Sequence, residues 1–409
     1  HRAGAPLDTC SWWGFLSRLR VTGRSRDSGL RLDNRQSARR RPHTERERPP
    51  GLCVMSKSTT TSFKGCASFR HRIVCATLAG KAIRISDIRS KTDAPGLRDF
   101  EASFLRLIDK LTNGTAVEIN DTGTKLRFRP GIIVGGAGLE HDCGKSRGVG
   151  WFVEGLLCLL PFAKNPVSIT LKGLTNDDTC ICVDTLRTVT LPLLKHFGIE
   201  QGLELRVVKR GARPDGGGEV VLRCPIVKEL KPINLVNTGK IRRVRGVAYA
   251  ARVSPQMPNR VVDSAKGYLM KVLPDVYVYT DHMKGAAAGS SPGYGISLVA
   301  ESTEGCIYGA DATAQPAQMP EDLGVSAAKM LIREVAMGGC VDTASQQMML
   351  LLMVLCPEDV SKIRVGKLMP QTVQLLRLLR ELFGAMFKMR PDRETGTLIM
   401  SCMGVGFKN

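Results

Sequence analysis

The chain has 409 residues, 43% of them apolar, and a formal net charge of +21 with a pI near 9.7. That length asks for two or more domains, and the apolar fraction is enough to fill their cores. No run, Met348–Cys356 included, approaches the roughly 18–20 apolar residues of a spanning helix, so no membrane partner is expected. The charge points instead to a polyanionic partner, most simply nucleic acid.

Residues 1–54 contain twelve arginines and no lysine, with clusters such as Arg39-Arg40-Arg41-Pro42. They precede Met55 and read as sequence translated from upstream of a start there; an Arg-rich transit peptide and an RNA-binding tail are the other readings. Taking their twelve arginines and five acids from the total of +21 leaves +14, so the basic character belongs to the folded part. The thirteen cysteines are scattered and form no CxxC pair, which argues against structural zinc and for reduced thiols in a cytosolic or nuclear protein.

Beyond this segment an amphipathic helix, a turn and two strands recur three times. The first copy predicts a helix over Phe100–Leu111, stopped by Asn113-Gly114, then strands Ala116–Asn120 and Lys125–Arg129. The second predicts a helix over Val183–Phe197, stopped by Gly198, then strands Leu203–Lys209 and Glu219–Cys224. The third predicts a helix over Thr372–Phe383, stopped by Gly384, then strands Ala385–Met389 and Gly396–Met403. Further helices are expected over Lys145–Leu160, Gly324–Met337 and Ala344–Leu355.

A period of about 80 residues is too long for a solenoid. The wider gap between the second and third copies asks for an insertion near Lys240–Ala312, read as strand, helix, strand, Gly-rich loop and two strands. The fold class is therefore α/β, with three α+β units and a small inserted α/β domain. The divisions are 1–54 for the extension, 55–239 for repeats one and two, 240–312 for the insertion and 313–409 for the third repeat.

Between the strands of the second copy lies Arg210-Gly-Ala-Arg-Pro-Asp-Gly-Gly-Gly-Glu-Val220. Three consecutive glycines permit φ > 0 and close approach of another chain segment. Exposed N–H groups in such a turn, beside Arg210 and Arg213, suit an anion such as phosphate; a flexible hairpin tip is the alternative. The spacing resembles the motif of the RNA 3′-terminal phosphate cyclase family, with Arg210, Gly211, Pro214, Gly216, Gly217, Gly218 and Val220 at its fixed positions. The resemblance covers about Phe63 to Phe407 and implies that family's fold, three repeated α/β units with a small α/β domain inserted before the last.

Cyclases of this family adenylate a histidine, pass AMP to an RNA 3′-phosphate and let the 2′-OH close the ring. That histidine stands in a Leu-His-Thr-Gln-Thr context, whereas this chain reads Leu368-Met369-Pro370-Gln371-Thr372. A thioether cannot form the phosphoramidate, so adenylation is not expected. The Glu-Gly-Gly-Gly-Gln-type stretch that serves nucleotide and metal is also missing, its place taken by Gly65-Cys-Ala-Ser-Phe-Arg-His-Arg72. No catalytic residue, cofactor or metal ligand is assigned.

Four other stretches resemble a cyclase-like, non-cyclase branch of the family. They are Pro95–Ser103, Glu140–Cys143 with Arg147-Gly148, Arg252–Met257 with Asn259-Arg260, and Thr280–Gly285 with Ser291–Gly293. That resemblance implies work in the nucleolus, in processing of the small-subunit (18S) rRNA precursor within the small-subunit processome, and association with a ribosome-assembly GTPase. Cleavage of the precursor by the chain itself is the alternative function, and active cyclase the second alternative. Cleavage needs an acidic metal cluster or an acid/base pair; Arg377, Arg380 and Glu381 of the last helix supply neither.

Other histidines offer weaker signals. His141 beside Cys143 suggests a Cys–His pair, against a plain loop; His282 with Asp281 resembles an acid/base site; His196 suits the end of a helix. Two basic regions are candidates for RNA or an acidic protein surface. Lys240, Arg242, Arg243 and Arg245 open the insertion, and Arg84, Arg89 and Arg98, with Lys81 and Lys91, precede the first repeat helix. Aromatics make up only 5% of the chain, and the sequence displays no stacking platform for single-stranded bases.

Overall fold

The computed structural model describes residues 60–408, so the expectations for residues 1–54 lie outside the described residues. Three four-stranded sheets share one topology. The first runs Thr61–Lys64, Ile83–Ser86, Leu126–Arg129, Ala116–Ile119 in spatial order. The second runs Leu139–Asp142, Val167–Gly173, Gly218–Cys224, Glu204–Lys209, and the third Asn234–Leu235, Val360–Val365, Thr397–Met403, Phe387–Asp392. In each, the first two strands are parallel and the last three antiparallel. A helix crosses between each parallel pair, since parallel neighbours need a long connection.

Those crossover helices, Phe69–Ala79, Val149–Leu159 and Gln346–Leu355, pack on one another at the centre. The third shows why: Met349–Leu355 is apolar on every side and fully buried, as a helix without a polar face must be. The sheets flank this core and alternate accordingly, Ile83 and Ile85 buried on either side of exposed Arg84.

A fourth sheet, in the order Val276–Met283, Ile241–Ala251, Gly293–Ser302, Ile307–Thr313, interrupts the third unit. Helix Gln256–Leu269 covers it together with Pro320–Ala336. The second of these helices follows residue 312 in the chain but packs with the inserted sheet. A Cβ at Gly324 would stand 2.1 Å from Ser264 Oγ and 2.4 Å from the Val261 carbonyl, so glycine is what lets the two helices touch.

Local chemistry shifts several predicted boundaries. The helix expected from Lys145 starts at Val149, because Gly144 turns at φ 75° and Gly148 is extended. The helix expected from Gly324 starts at Pro320, with proline in its first turn and Glu321 and Asp322 beside it. The helix expected over Val183–Phe197 is α-helical at Val183–Thr185 and Leu191–Lys195 but π-helical at Leu186–Thr190. Pro192, which cannot donate to a carbonyl in the preceding turn, follows that wide segment directly.

Candidate functional site

The glycine hairpin closes the second sheet, joining strands Glu204–Lys209 and Gly218–Cys224. Arg210, at its base, is among the largest fully buried side chains of the described residues. Its guanidinium grips Asp184 with its Nη1–Nη2 edge, Nη1 to Oδ2 at 2.6 Å and Nη2 to Oδ1 at 2.9 Å. It also reaches Asp281 Oδ2 from Nε at 3.0 Å and from Nη2 at 2.7 Å, and Asn176 Oδ1 from Nη1 at 3.4 Å. The cation lies 4.8 Å from the centre of the Tyr249 ring. Burial works against the charge on Asp184, yet Arg210 prevails and holds that carboxyl below its ordinary range.

An arginine has five N–H donors, and all five of Arg210's are directed at these partners. Its expected role as an anion ligand is therefore corrected: the anions it binds are two carboxylates of the chain itself. Asp184 opens a helix of the second unit, while Asp281 and Tyr249 belong to the inserted sheet. Arg210 is the tie between them.

The glycines serve the same seam. A Cβ on Gly218 would meet Gly211 N at 2.7 Å and Gly173 O at 2.8 Å, and one on Gly211 would meet Gly218 N at 2.3 Å. Gly216 and Gly217 take φ of 70° and 76°, and the Gly217 side lies against Gly289 of the inserted unit. Arg210 N donates to Ala287 O, Gly289 N to Arg210 O, and Asp215 N to Ser291 Oγ. The N–H groups of Gly211 and Gly216 go to Thr175 Oγ1 and Ala212 O, so neither is offered to an outside anion. Pro214 follows a cis peptide bond. Arg213, about half exposed, pairs with Asp177 at 2.7 and 3.0 Å.

Met369 caps the helix Pro370–Phe383 and is 37% exposed. Ser68, from the stretch that lacks the expected glycines, donates to Gln374 Oε1 of that helix at 3.0 Å. The two departures from the cyclase pattern thus share one locality. Arg70, two residues on from Ser68, turns to the helix Val149–Leu159, donating to Glu154 Oε2 at 2.6 Å and to the Trp151 carbonyl at 2.8 Å, over the Trp151 ring. Trp151 meets Phe100 and Phe104 edge-on at 5.1 and 5.2 Å.

Neither the plain loop nor the Cys143 pairing describes where His141 lies. His141 lies on the strand Leu139–Asp142, and its Nε2 is 2.9 Å from Ser103 Oγ, 38 residues earlier. Burial, aided by Lys110, lowers the imidazole pKa to about 4, while burial raises that of the Cys143 thiol. Ser103 and Cys143 border a cavity of about 630 Å³ that Asp99, Arg106, Asp142 and residues 144–146 also line. His282 Nε2 lies 2.9 Å from the Val253 carbonyl, so it joins two segments of the inserted unit.

The two basic regions fall on different sheets. Arg84 is exposed on the first sheet, opposite Arg127. Arg89 is tied to both Glu101 oxygens at 2.7 Å, and Arg98 is exposed just before its helix. On the fourth sheet Lys240 and Arg242 are exposed, but Arg243 pairs with Glu301 at 2.6 Å and Arg245 with Asp275 at 2.8 Å. Among the described residues no helix is long and apolar enough to cross a membrane, and no three His, Cys, Asp or Glu side chains are grouped to hold a metal ion.

The sequence profile described as RNA 3′-terminal phosphate cyclase matches residues 61–389. A probable RNA 3′-terminal phosphate cyclase-like protein of Dictyostelium discoideum is 53% identical over 85% of this chain and 98% of its own length. The RNA 3′-terminal phosphate cyclase-like protein of Homo sapiens is 50% identical over 87% and 98%. An rRNA processing protein of Schizosaccharomyces pombe is 46% identical over the same shares. With its repeated topology, its glycine hairpin and these matches along nearly the whole described length, the chain belongs to the RNA 3′-terminal phosphate cyclase family.

Proposed function

We propose that the chain is an rRNA-processing factor that keeps the cyclase scaffold without its adenylation chemistry. It acts in nucleolar maturation of small-subunit (18S) rRNA, in contact with precursor RNA and a ribosome-assembly GTPase. The likeness to the rRNA processing protein of Schizosaccharomyces pombe, over 98% of that protein, carries the reading. Met369 at the nucleophile position supports its non-catalytic half, since no other side chain substitutes simply for histidine as the acceptor of AMP.

The test has two arms. Depletion of the protein followed by Northern analysis should show accumulated small-subunit precursors; normal processing refutes the role. Incubation with ATP labelled in the α-phosphate should leave no AMP on the wild-type chain, because Met369 offers no nucleophile to accept it. A covalent adduct on the wild type would restore the cyclase reading. Cleavage of a precursor fragment by purified chain would favour the endonuclease.

A further inference from the structure

The low aromatic content argues against a stacking platform, but strand register builds one on the inserted unit. Val276–Met283 is an edge strand of the fourth sheet. Its Val276 and Val278 are buried beneath the helices, whereas Tyr277 and Tyr279 point to the opposite face, 62% and 44% exposed. Two positions along a strand are about 6.6 Å apart on one face, a separation that unstacked neighbouring bases can span. Edges are usually guarded by charge, so two large rings side by side on one call for a partner.

The surroundings name the chemistry of that partner. Arg245 lies beside Tyr277 and Val247 beside Tyr279 in the parallel ladder, so Arg243 and Arg245 share the tyrosines' face. Arg187 Nη2 donates to the Tyr279 hydroxyl at 3.2 Å. The three arginine side chains are 36%, 37% and 33% exposed; Arg243 and Arg245 pair with part-exposed carboxylates that a phosphate oxygen can displace, while Arg187 reaches Asp184, the buried partner of Arg210, at 3.5 Å. Exposed Lys240 and Arg242 add positive charge where the central strand begins. A groove of about 530 Å³ follows the edge past Asn259, whose amide suits a base edge. Farther along the same face, Tyr249 and Asp281 are closed off by Arg210, which limits the platform to its Tyr277 end.

We propose that Tyr277 and Tyr279 stack successive bases of single-stranded RNA, with Arg187, Arg243 and Arg245 on the backbone. The proposal rests on the RNA contact assigned above and deepens it. Stacking is sequence-tolerant because every base has a π-face.

Anisotropy of a labelled single-stranded oligouridylate, with the full chain at 0.1 M salt, tests it. Tyr277→Ala and Tyr279→Ala should each weaken binding about 5- to 150-fold, the span of one stacked base. Tyr277→Phe should bind as the wild type, and Tyr277→Ala should keep its salt slope, since no cation is lost or released. Unchanged thermal melting shows that an Ala variant is folded, as expected for exposed rings. Equal oligouridylate affinity in wild type and both Ala variants overturns this site while the RNA reading stands. Failure of the wild type to bind any single-stranded RNA overturns both. Equal weakening of a duplex probe overturns stacking, because a duplex has no free base face to offer.

Discussion

Replacing Asp184 by asparagine attacks the tie between the inserted sheet and the second unit at its least exposed point. Arg210 and Asp184 have side-chain exposures of 1% and 0%, so the remaining guanidinium keeps its charge without its bidentate partner. Breaking a buried pair from one side costs about 3–5 kcal/mol. Asp281→Asn should cost less, about 1–2 kcal/mol, because Asp281 is 30% exposed and water can take its place. A chain with four sheets need not unfold in one step, so the informative assay is native-state hydrogen exchange at neutral pH. Asp184→Asn should lose protection in residues 285–291 and in the hairpin at 210–218, with the first sheet unchanged. The pH dependence follows from sign. The Asp184 carboxyl is held below its ordinary 3.8, so its contribution is present above about pH 4 and lost as the pH falls through the folded value. The gap between wild type and Asp184→Asn should therefore narrow on acidification. A cost below about 1 kcal/mol at neutral pH, or equal loss of protection in the first sheet, would refute the tie.

Two further outcomes follow from the same geometry. Gly218→Ala places a methyl 2.6 Å from Thr175 Cγ2 and 2.7 Å from a backbone nitrogen, and should lower stability by about 1–3 kcal/mol in denaturant titration; Gly384→Ala, a helix cap at φ 71° with open space around it, should cost only the backbone strain of about 1–2 kcal/mol. His141, with its pKa lowered to about 4, stays neutral in the fold while the unfolded imidazole protonates near 6.5, so stability should fall as the pH drops from 6.5 to 4; NMR titration showing a charged His141 at pH 5.5 would contradict this.

How much was legible depended on the range of the interaction. Periodicity placed the helices of all three repeats within a few residues, because a buried stripe every 3.6 residues is a local pattern. The glycine spacing at 211–218 carried the family resemblance, because a tight backbone approach admits no other side chain. Arg210 was misread as a ligand for phosphate, since its carboxylate partners stand 26 and 71 residues away and one lies in a separate sheet. The Ser103–His141 contact left no signal either, while Cys143, two residues from His141, offered a false one. The tyrosine pair was discounted by composition, which counts rings but cannot place them on an edge.

The amino-acid sequence by itself determined the α/β class and the repeated helix–strand–strand units, which depend on residue type and local spacing, while Met369 in the nucleophile's place is what the family resemblance implies. Only the tertiary structure decided that the glycine hairpin is a seam, that two departures from the cyclase pattern share one place, and that Tyr277 and Tyr279 are exposed on a sheet edge. Burial and charge pairing join residues far apart in the chain, and they exist only once the sheets have packed.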